Sequence, residues 1–256
     1  MQCFVINLVK DVARREQITA GLQRQGLDHE LFPAVLGDAL TDEAIGHAYD
    51  AAAAGRCRHP MTRGEIGCAL SHLGVYQQVV ERGLACALVL EDDARPGDAL
   101  PQVLAAIEPL MQVDTPLVVL LNCVKLTSYF ASRRLDAGHL LAPVLDGTWG
   151  AHAYVINQAA ARSLLHGLRP VRLPADIWDE FRREKLATIR AVVPYCVGLS
   201  ELAAQSNLGA ARAAPTALAR QAEERGIVHW LHRYAYRKFI YQLFVRPFIR
   251  RQVMTW

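Results

Sequence analysis

Three consecutive acids, Glu91-Asp92-Asp93, end a nearly unbroken apolar run from Leu84 to Leu90. Carboxylates this close repel one another unless a cation joins them. Hard divalent ions such as Mg²⁺ or Mn²⁺ take oxygen ligands and bridge a carboxylate to a substrate diphosphate. The same residues also suit a solvated turn with Asp93 as a cap, and the triplet alone does not choose. One helix earlier stands Gly64-Glu65-Ile66-Gly67-Cys68-Ala69-Leu70-Ser71-His72-Leu73. On a helix, Glu65, Cys68, His72 and Tyr76 fall opposite the Ile66/Leu70/Leu73 stripe. That predicts a second, polar contact surface bearing Ser71 and His72. The alternative has Ser71 bonding back to the carbonyl four residues earlier, with His72 an ordinary histidine.

The elements that must position these groups follow from periodicity. Cys3 to Leu8 suits a short buried strand, Asp11 to Gln25 a helix stopped by Gly26, and Glu30 to Leu36 a second strand. Asp38 to Arg58 lacks a clean period and reads as a helical surface excursion. Thr62 and Glu65 have capping-box spacing, and Gly83 closes the helix they open. Leu84 to Leu90 then reads as a central parallel strand, and ligands bind beyond the carboxyl ends of such strands. A helix within 98–111, a strand at Leu117–Leu121, a strand from Thr148 to Ile156, a helix capped by Asn157, a helix from Pro174 to Lys185 and a strand at Thr188–Val193 continue the alternation. The class is α/β.

Read in order, Val5-Ile6-Asn7-Leu8, Arg14-Arg15, Phe32 to Gly37, Gly64 to His72, Leu88 to Ala94, Thr148 through Tyr154-Val155-Ile156, and Leu173-Pro174-Ala175-Asp176 resemble glycosyltransferase family 25. Those are bacterial lipooligosaccharide galactosyltransferases and their relatives in collagen modification. The Gly-Glu-Ile-Gly…Ser-His block followed by Leu-Glu-Asp-Asp carries the likeness. It implies a GT-A-type single domain around a mostly parallel sheet. It also implies inverting transfer of a hexose, galactose from UDP-galactose, to a lipooligosaccharide or LPS glycan, with Mn²⁺ or Mg²⁺ as cofactor.

Carried over by position, Asp93 binds the metal, Asp92 faces the ribose and Glu91 supports the site. Asn7, Leu8 and Arg14 match the nucleotide-binding stretch. Asn7 could read a base, and Arg14 could offset diphosphate charge or be a solvated helix arginine. Inversion needs a carboxylate base opposite the leaving group. Asp176 matches the family acid after Leu-Pro, although it also falls where a helix cap or a metal ligand would. Thr148 and Trp149 are expected on the acceptor side, Trp149 stacking on a sugar unless it is a core aromatic.

Bulk composition narrows the remaining choices. The chain has 256 residues with 28 Lys plus Arg and 25 Asp plus Glu, a net charge of +3. No window reaches the roughly 18 apolar residues of a membrane span. None of the six cysteines forms a CxxC pair, and four lie in apolar segments, which suits a reduced, cytoplasmic protein. From Gly226 onward there are six Lys or Arg and no Asp or Glu, so residues 1–225 carry −3. The same tail holds eight of the chain's 19 aromatics. Aromatics interleaved with cations suit an anionic bilayer interface.

The expected organisation is therefore a transferase domain at 1–225, its nucleotide-sugar half at 1–112 and acceptor half at 113–225, followed by a basic aromatic tail at 226–256. The tail would hold the protein peripherally on the cytoplasmic face of the inner membrane, beside a lipid-anchored glycan acceptor. Basic-aromatic interleaving also suits single-stranded nucleic acid, but no nucleic acid partner is expected. A metal-dependent phosphohydrolase on a similar body, and a catalytically silent sugar- or lipid-binding scaffold, are the rival functions.

Overall fold

A computed structural model describes residues 1–57, 60–135, 138–205 and 248–252. In chain order the first half holds β1 (Gln2–Asn7), α1 (Val12–Arg24), β2 (Glu30–Pro33), α2 (Asp42–Ala48), α3 (Ala51–Cys57), α4 (Arg63–Glu81), β3 (Cys86–Glu91), β4 (Ala94–Pro96) and α5 (Leu100–Ile107). The second holds β5 (Leu117–Leu120), β6 (Val124–Ser128), β7 (Arg133–Arg134), β8 (Leu140–Thr148), β9 (Ala153–Asn157), α6 (Gln158–Gly167), α7 (Trp178–Arg183), β10 (Thr188–Val193), β11 (Val197–Leu199) and β12 (Ile249–Arg251).

One large sheet runs β12-β6-β8-β10-β5-β9-β3-β1-β2, with β7 pairing to β8. β4 and β11 form a small separate ribbon. The α/β class holds, with a difference in the sheet. Among the described strands of this sheet, parallel pairing is confined to β2-β1-β3 and to β5-β10. β9 inserts antiparallel between β3 and β5, and the β8 side is antiparallel throughout. The expected strand from Thr148 to Ile156 is broken at Gly150, whose φ of +80° is open to glycine at little cost. β8 ends before that break and β9 begins after it. Residues 249–251, assigned above to a separate tail, add an edge strand beside β6. Residues 206–247 and 253–256, including most of that tail, lie outside the described residues.

Both faces of the central strands are buried, which explains their unbroken apolar sequences. On β3, Ala87 and Val89 enter one core layer while Cys86, Leu88 and Leu90 enter the other. On β1, Phe4 and Ile6 oppose Cys3 and Val5 in the same way. Helices α4, α6 and α7 cover the first face through residues such as Ile66, Leu73, Leu164 and Trp178. Helices α1 and α5 cover the second through Ile18, Leu22, Leu100 and Val103.

The start of α4 is fixed by the capping box that its spacing predicts. Thr62 Oγ1 accepts from the Glu65 amide, and Glu65 Oε2 accepts from the Thr62 amide at 2.9 Å. The turn after β2 then lies directly against this helix. A Cβ on Gly67 would stand 2.6 Å from both Gly37 N and Val35 O. Two glycines thus let two backbones touch, and that contact aligns α4 with the carboxyl end of β3.

Candidate active site

The strand registers bring four separate chain segments to one edge of the sheet. Asn7 ends β1, Glu91 ends β3, Asn122 follows β5, and Trp149 to His152 lead into β9. The Glu91 amide donates to the His152 carbonyl at 3.0 Å, and the Asp92 amide donates to the Ile6 carbonyl at 3.1 Å. The three acids therefore sit on a backbone held from both neighbouring strands.

Each acid meets a different environment. Asp92 is buried and accepts from Asn7 Nδ2 at 2.7 Å and from Arg14 Nη1 at 3.2 Å. Burial pushes its pKa up, and the Asn7 and Arg14 contacts hold it back. Asp93 lies in the turn after β3, and its Oδ1 is buried without a hydrogen-bond partner among the described residues. Burial first, then the neighbouring Glu91 charge, raises the Asp93 carboxyl to about 7. Its backbone carbonyl accepts from the Ser200 amide at 2.8 Å. An orphaned, buried carboxylate oxygen at a sheet edge fits a hard divalent cation, which would supply the missing partner and charge.

Glu91 turns toward α4. Its Oε1 lies 3.1 Å from His72 Nε2, and His72 Nδ1 lies 2.7 Å from the Tyr154 hydroxyl. That hydroxyl donates on to Tyr76 at 3.1 Å. The ring of Trp178, at the start of α7, packs 4.8 Å from Tyr154. A contiguous path of contacts thus joins the acidic edge to the segment bearing Asp176.

Several expected roles change. Ser71 is buried, accepts from the Val35 amide at 2.8 Å and donates to the Gly67 carbonyl at 2.7 Å. Its hydroxyl is used inside the fold, tying the post-β2 turn to α4. His72 is likewise buried and acts on Glu91 rather than facing solvent. The side of α4 read as a polar surface is packed on the sheet because tyrosine hydroxyls and Glu91 satisfy it there. Asn7 does not offer a free amide to a base. Its Nδ2 is spent on Asp92 and on the Asp11 carbonyl, and its Oδ1 accepts from Arg15. Arg14 is no solvated helix arginine, because it also donates to the Leu202 carbonyl at 3.0 Å. Leu8 is half-buried just after β1.

On the opposite flank, Trp149 is 62% exposed, which removes the core-aromatic alternative. Asn122 Nδ2 donates to its carbonyl at 2.7 Å, and Trp178 Nε1 donates to the Gly150 carbonyl at 3.0 Å. The exposed indole is thus carried on a backbone fixed at two points. Thr148 beside it is buried, and its Oγ1 has no hydrogen-bond partner among the described residues, so its hydroxyl does not face the surface. Asp176 occupies a half-buried turn and is not the helix cap, since Ile177 holds that position without a side-chain bond. Asp179, inside α7, pairs with Arg182 at 3.3 Å.

Tyr154, Asn122, His152 and Trp178 escaped the sequence reading as parts of the site. Only the Tyr154 signal was available: a hydroxyl inside an apolar strand needs a buried partner. The other three act through backbone contacts that cross long stretches of chain.

The chain is thus an α/β body with an acidic strand end at one edge of its sheet. The sequence pattern of glycosyltransferase family 25 (LPS biosynthesis protein) matches residues 1–178, and the chain belongs to that family. A procollagen galactosyltransferase 1 from Danio rerio is 39% identical over 101 residues, covering 37% of this chain and 16% of the relative. The procollagen galactosyltransferase 2 of Homo sapiens is 36% identical over 98 residues, with 37% and 16% covered. An "inactive glycosyltransferase 25 family member 3" of Homo sapiens is 38% identical over 101 residues at the same coverage. The matched segment is thus about one sixth of these relatives' length, and it is shared by a member named inactive. Among solved structures, A197 from STIV aligns with a TM-score of 0.41 at 9% identity, covering 77% of this chain and 84% of that one. That likeness is too weak to carry any argument.

Proposed function

We propose that the protein is a metal-dependent inverting glycosyltransferase that moves a hexose, galactose from UDP-galactose, onto a lipooligosaccharide or LPS glycan. The observation that carries this reading is the buried Asp93 oxygen after β3, partnerless among the described residues, in a chain of this family. The galactosyltransferase names of the collagen-modifying relatives support the sugar. A divalent ion, when bound, supplies Lewis-acid stabilisation for the departing diphosphate, and Asp93 would hold it.

The chain's own residues do the rest. Asn7 and Arg14 hold Asp92 ionised and oriented toward the nucleotide's ribose. His72 holds Glu91 against the core so that the turn bearing Asp93 keeps its shape. Trp149 presents an exposed ring to the acceptor glycan, and Asp176 takes the acceptor hydroxyl proton as attack begins. The basic aromatic tail places the enzyme on an anionic cytoplasmic membrane face, where a lipid-anchored acceptor is presented.

A donor screen tests the proposal: release of UDP is followed with each UDP-sugar, with and without Mn²⁺ and a glycan acceptor. Acceptor-dependent UDP release from UDP-galactose is expected. Acceptor-independent phosphate or UMP release would instead mark a phosphohydrolase, and tight UDP-sugar binding without turnover a silent binding protein.

A further inference from the structure

Cys68 and His72 stand four residues apart on α4, and Glu91 faces them from the end of β3. One ligand-capable atom from each, a thiol sulfur, an imidazole nitrogen and a carboxylate oxygen, lies within 4.8 Å of the other two. We propose that these three residues form a binding site for a borderline-soft divalent cation of the zinc class, separate from the hard-cation position at Asp93. The proposal goes beyond the hexose-transfer reading and does not depend on it.

The His72–Glu91 spacing is that of two ligands sharing an ion. Two nitrogen or oxygen ligands, each about 2.0–2.2 Å from a tetrahedral zinc, lie roughly 3.3 Å apart. His72 Nε2 and Glu91 Oε1 are 3.1 Å apart. Both come from regular elements whose packing is fixed, the helix by its capping box and the strand by pairing on both sides.

The hydrogen bonding behind His72 suits the tautomer that a metal needs. Tyr154 donates to Tyr76, so its oxygen is left to accept from Nδ1–H of His72. Burial holds both phenols well above their ordinary range, so they remain neutral. In that tautomer Nε2 offers a lone pair beside the carboxylate oxygen, 3.1 Å away, where one ion can be shared by both. A proton would satisfy the pair alone. A metal ion satisfies the pair and the Cys68 sulfur together, with the thiol proton passing to solvent. A ligating histidine whose other nitrogen is fixed by a polar group is the usual support of such sites.

The donor set separates this position from its neighbour. Thiolate and imidazole favour zinc-class ions, whereas the carboxylate of Asp93 favours Mg²⁺ or Mn²⁺. Access is also present. His72 is 2% exposed at its side chain, while Glu91 is 27% exposed and Cys68 is half-buried. Three protein ligands on a partly open rim leave one position for water, the arrangement of an exchangeable site. The ion would brace α4 directly to the strand end that carries the acidic turn.

The test is cobalt titration of the full chain, stripped of metal and kept under a non-thiol reductant. One equivalent of Co²⁺ should produce a thiolate-to-cobalt charge-transfer band, and Zn²⁺ should abolish it by displacement. Cys68→Ser should lose the band. His72→Gln should weaken cobalt binding about 10- to 100-fold, the loss expected for a metal ligand or its support. Asp93→Asn should keep band and stoichiometry. Circular dichroism checks that each variant is folded, and Cys68→Ala replaces the serine variant if that one is not. The proposal is overturned if the wild-type chain develops no band, if the band survives loss of Cys68, or if it disappears in Asp93→Asn while persisting in His72→Gln.

Discussion

Asn7 and Asp92 are 85 residues apart in sequence, yet Asn7 Nδ2 donates to Asp92 Oδ2 across 2.7 Å in a buried setting. The bond closes the carboxyl ends of two parallel strands on each other. It also takes the place of the water that a buried carboxylate would otherwise need. Hydrogen bonds to charged groups contribute about 1.5–3 kcal/mol. Asn7→Ala should therefore lower unfolding stability by about that amount in urea titrations near neutral pH. Asn7→Asp should cost more, because it sets a second negative charge against Asp92. Stability unchanged in both variants would show that Arg14 alone holds the carboxylate.

Asp93 makes the metal-free protein sensitive to pH. Burial and Glu91 raise its folded pKa to about 7, above the unfolded carboxylate value. A raised folded pKa contributes stability that is full below the unfolded pKa and is lost as pH rises through the folded one. The melting temperature without metal should accordingly fall between about pH 4 and about pH 7 and level off above, more in the wild type than in Asp93→Asn. Mn²⁺ should restore the wild type at the upper pH and leave Asp93→Asn unmoved. Transfer activity of the variant should be abolished at low Mn²⁺, and near-normal turnover there would remove Asp93 from the metal site.

The backbone contact between α4 and the post-β2 turn gives a prediction about stability alone. Both sides of the Gly67 contact are main chain and cannot swing away. Gly67→Ala should cost about 1–3 kcal/mol, as overpacking does. Gly46, inside α2, has open space around it, and a Cβ there would meet nothing within 4 Å. Gly46→Ala should therefore gain up to about 1 kcal/mol. Chemical denaturation of the two variants side by side separates close approach from helix propensity. Equal shifts would mean that the contact carries no weight.

These relationships differ in how far the sequence exposes them. The α4 cap, the β3 run and the acidic turn are local patterns, written within a few residues, and each appears where its spacing places it. Asn157 likewise caps α6 by accepting from the Ala160 amide at 2.9 Å. What failed to show is long-range. Ser71 and His72 look like a polar surface because their partners, the Val35 amide, Tyr154 and Glu91, come from other elements. The antiparallel insertion of β9 is equally invisible, since a strand buried on both faces reads the same in either direction. Trp149 is the reverse case: its type suggests a core, and only the glycine break beside it turns the ring outward.

The exposed Trp149 ring should matter for the acceptor and little for the fold. Trp149→Ala should change stability by less than about 0.5 kcal/mol, as surface substitutions do. Under the proposed function it should raise the KM for the glycan acceptor while the KM for the UDP-sugar stays put. Trp149→Phe should recover most of the loss, because a ring face suffices for stacking on a sugar. An acceptor KM untouched by Trp149→Ala would place the acceptor elsewhere.

Asp176 distinguishes a base from a structural acid. It lies one residue before the helix cap Ile177, so its carboxyl does not cap α7. The following Trp178 packs on Tyr154 and donates to Gly150, which holds this turn against the flank that carries Trp149. Under the proposed function, inversion demands that a base on that flank stand across the sugar from the departing diphosphate. Asp176→Asn keeps size and hydrogen bonding but cannot accept the proton, and loss of general base catalysis typically costs about 10²- to 10⁴-fold. The expected result is kcat lowered on that scale, with UDP-sugar affinity measured by calorimetry unchanged within about twofold. Asp179→Asn is the control, since its carboxylate is engaged with Arg182, and it should lower stability more than kcat. If Asp176→Asn weakens UDP-sugar binding instead and spares kcat, the residue belongs to the donor side and the base must be sought in another carboxylate.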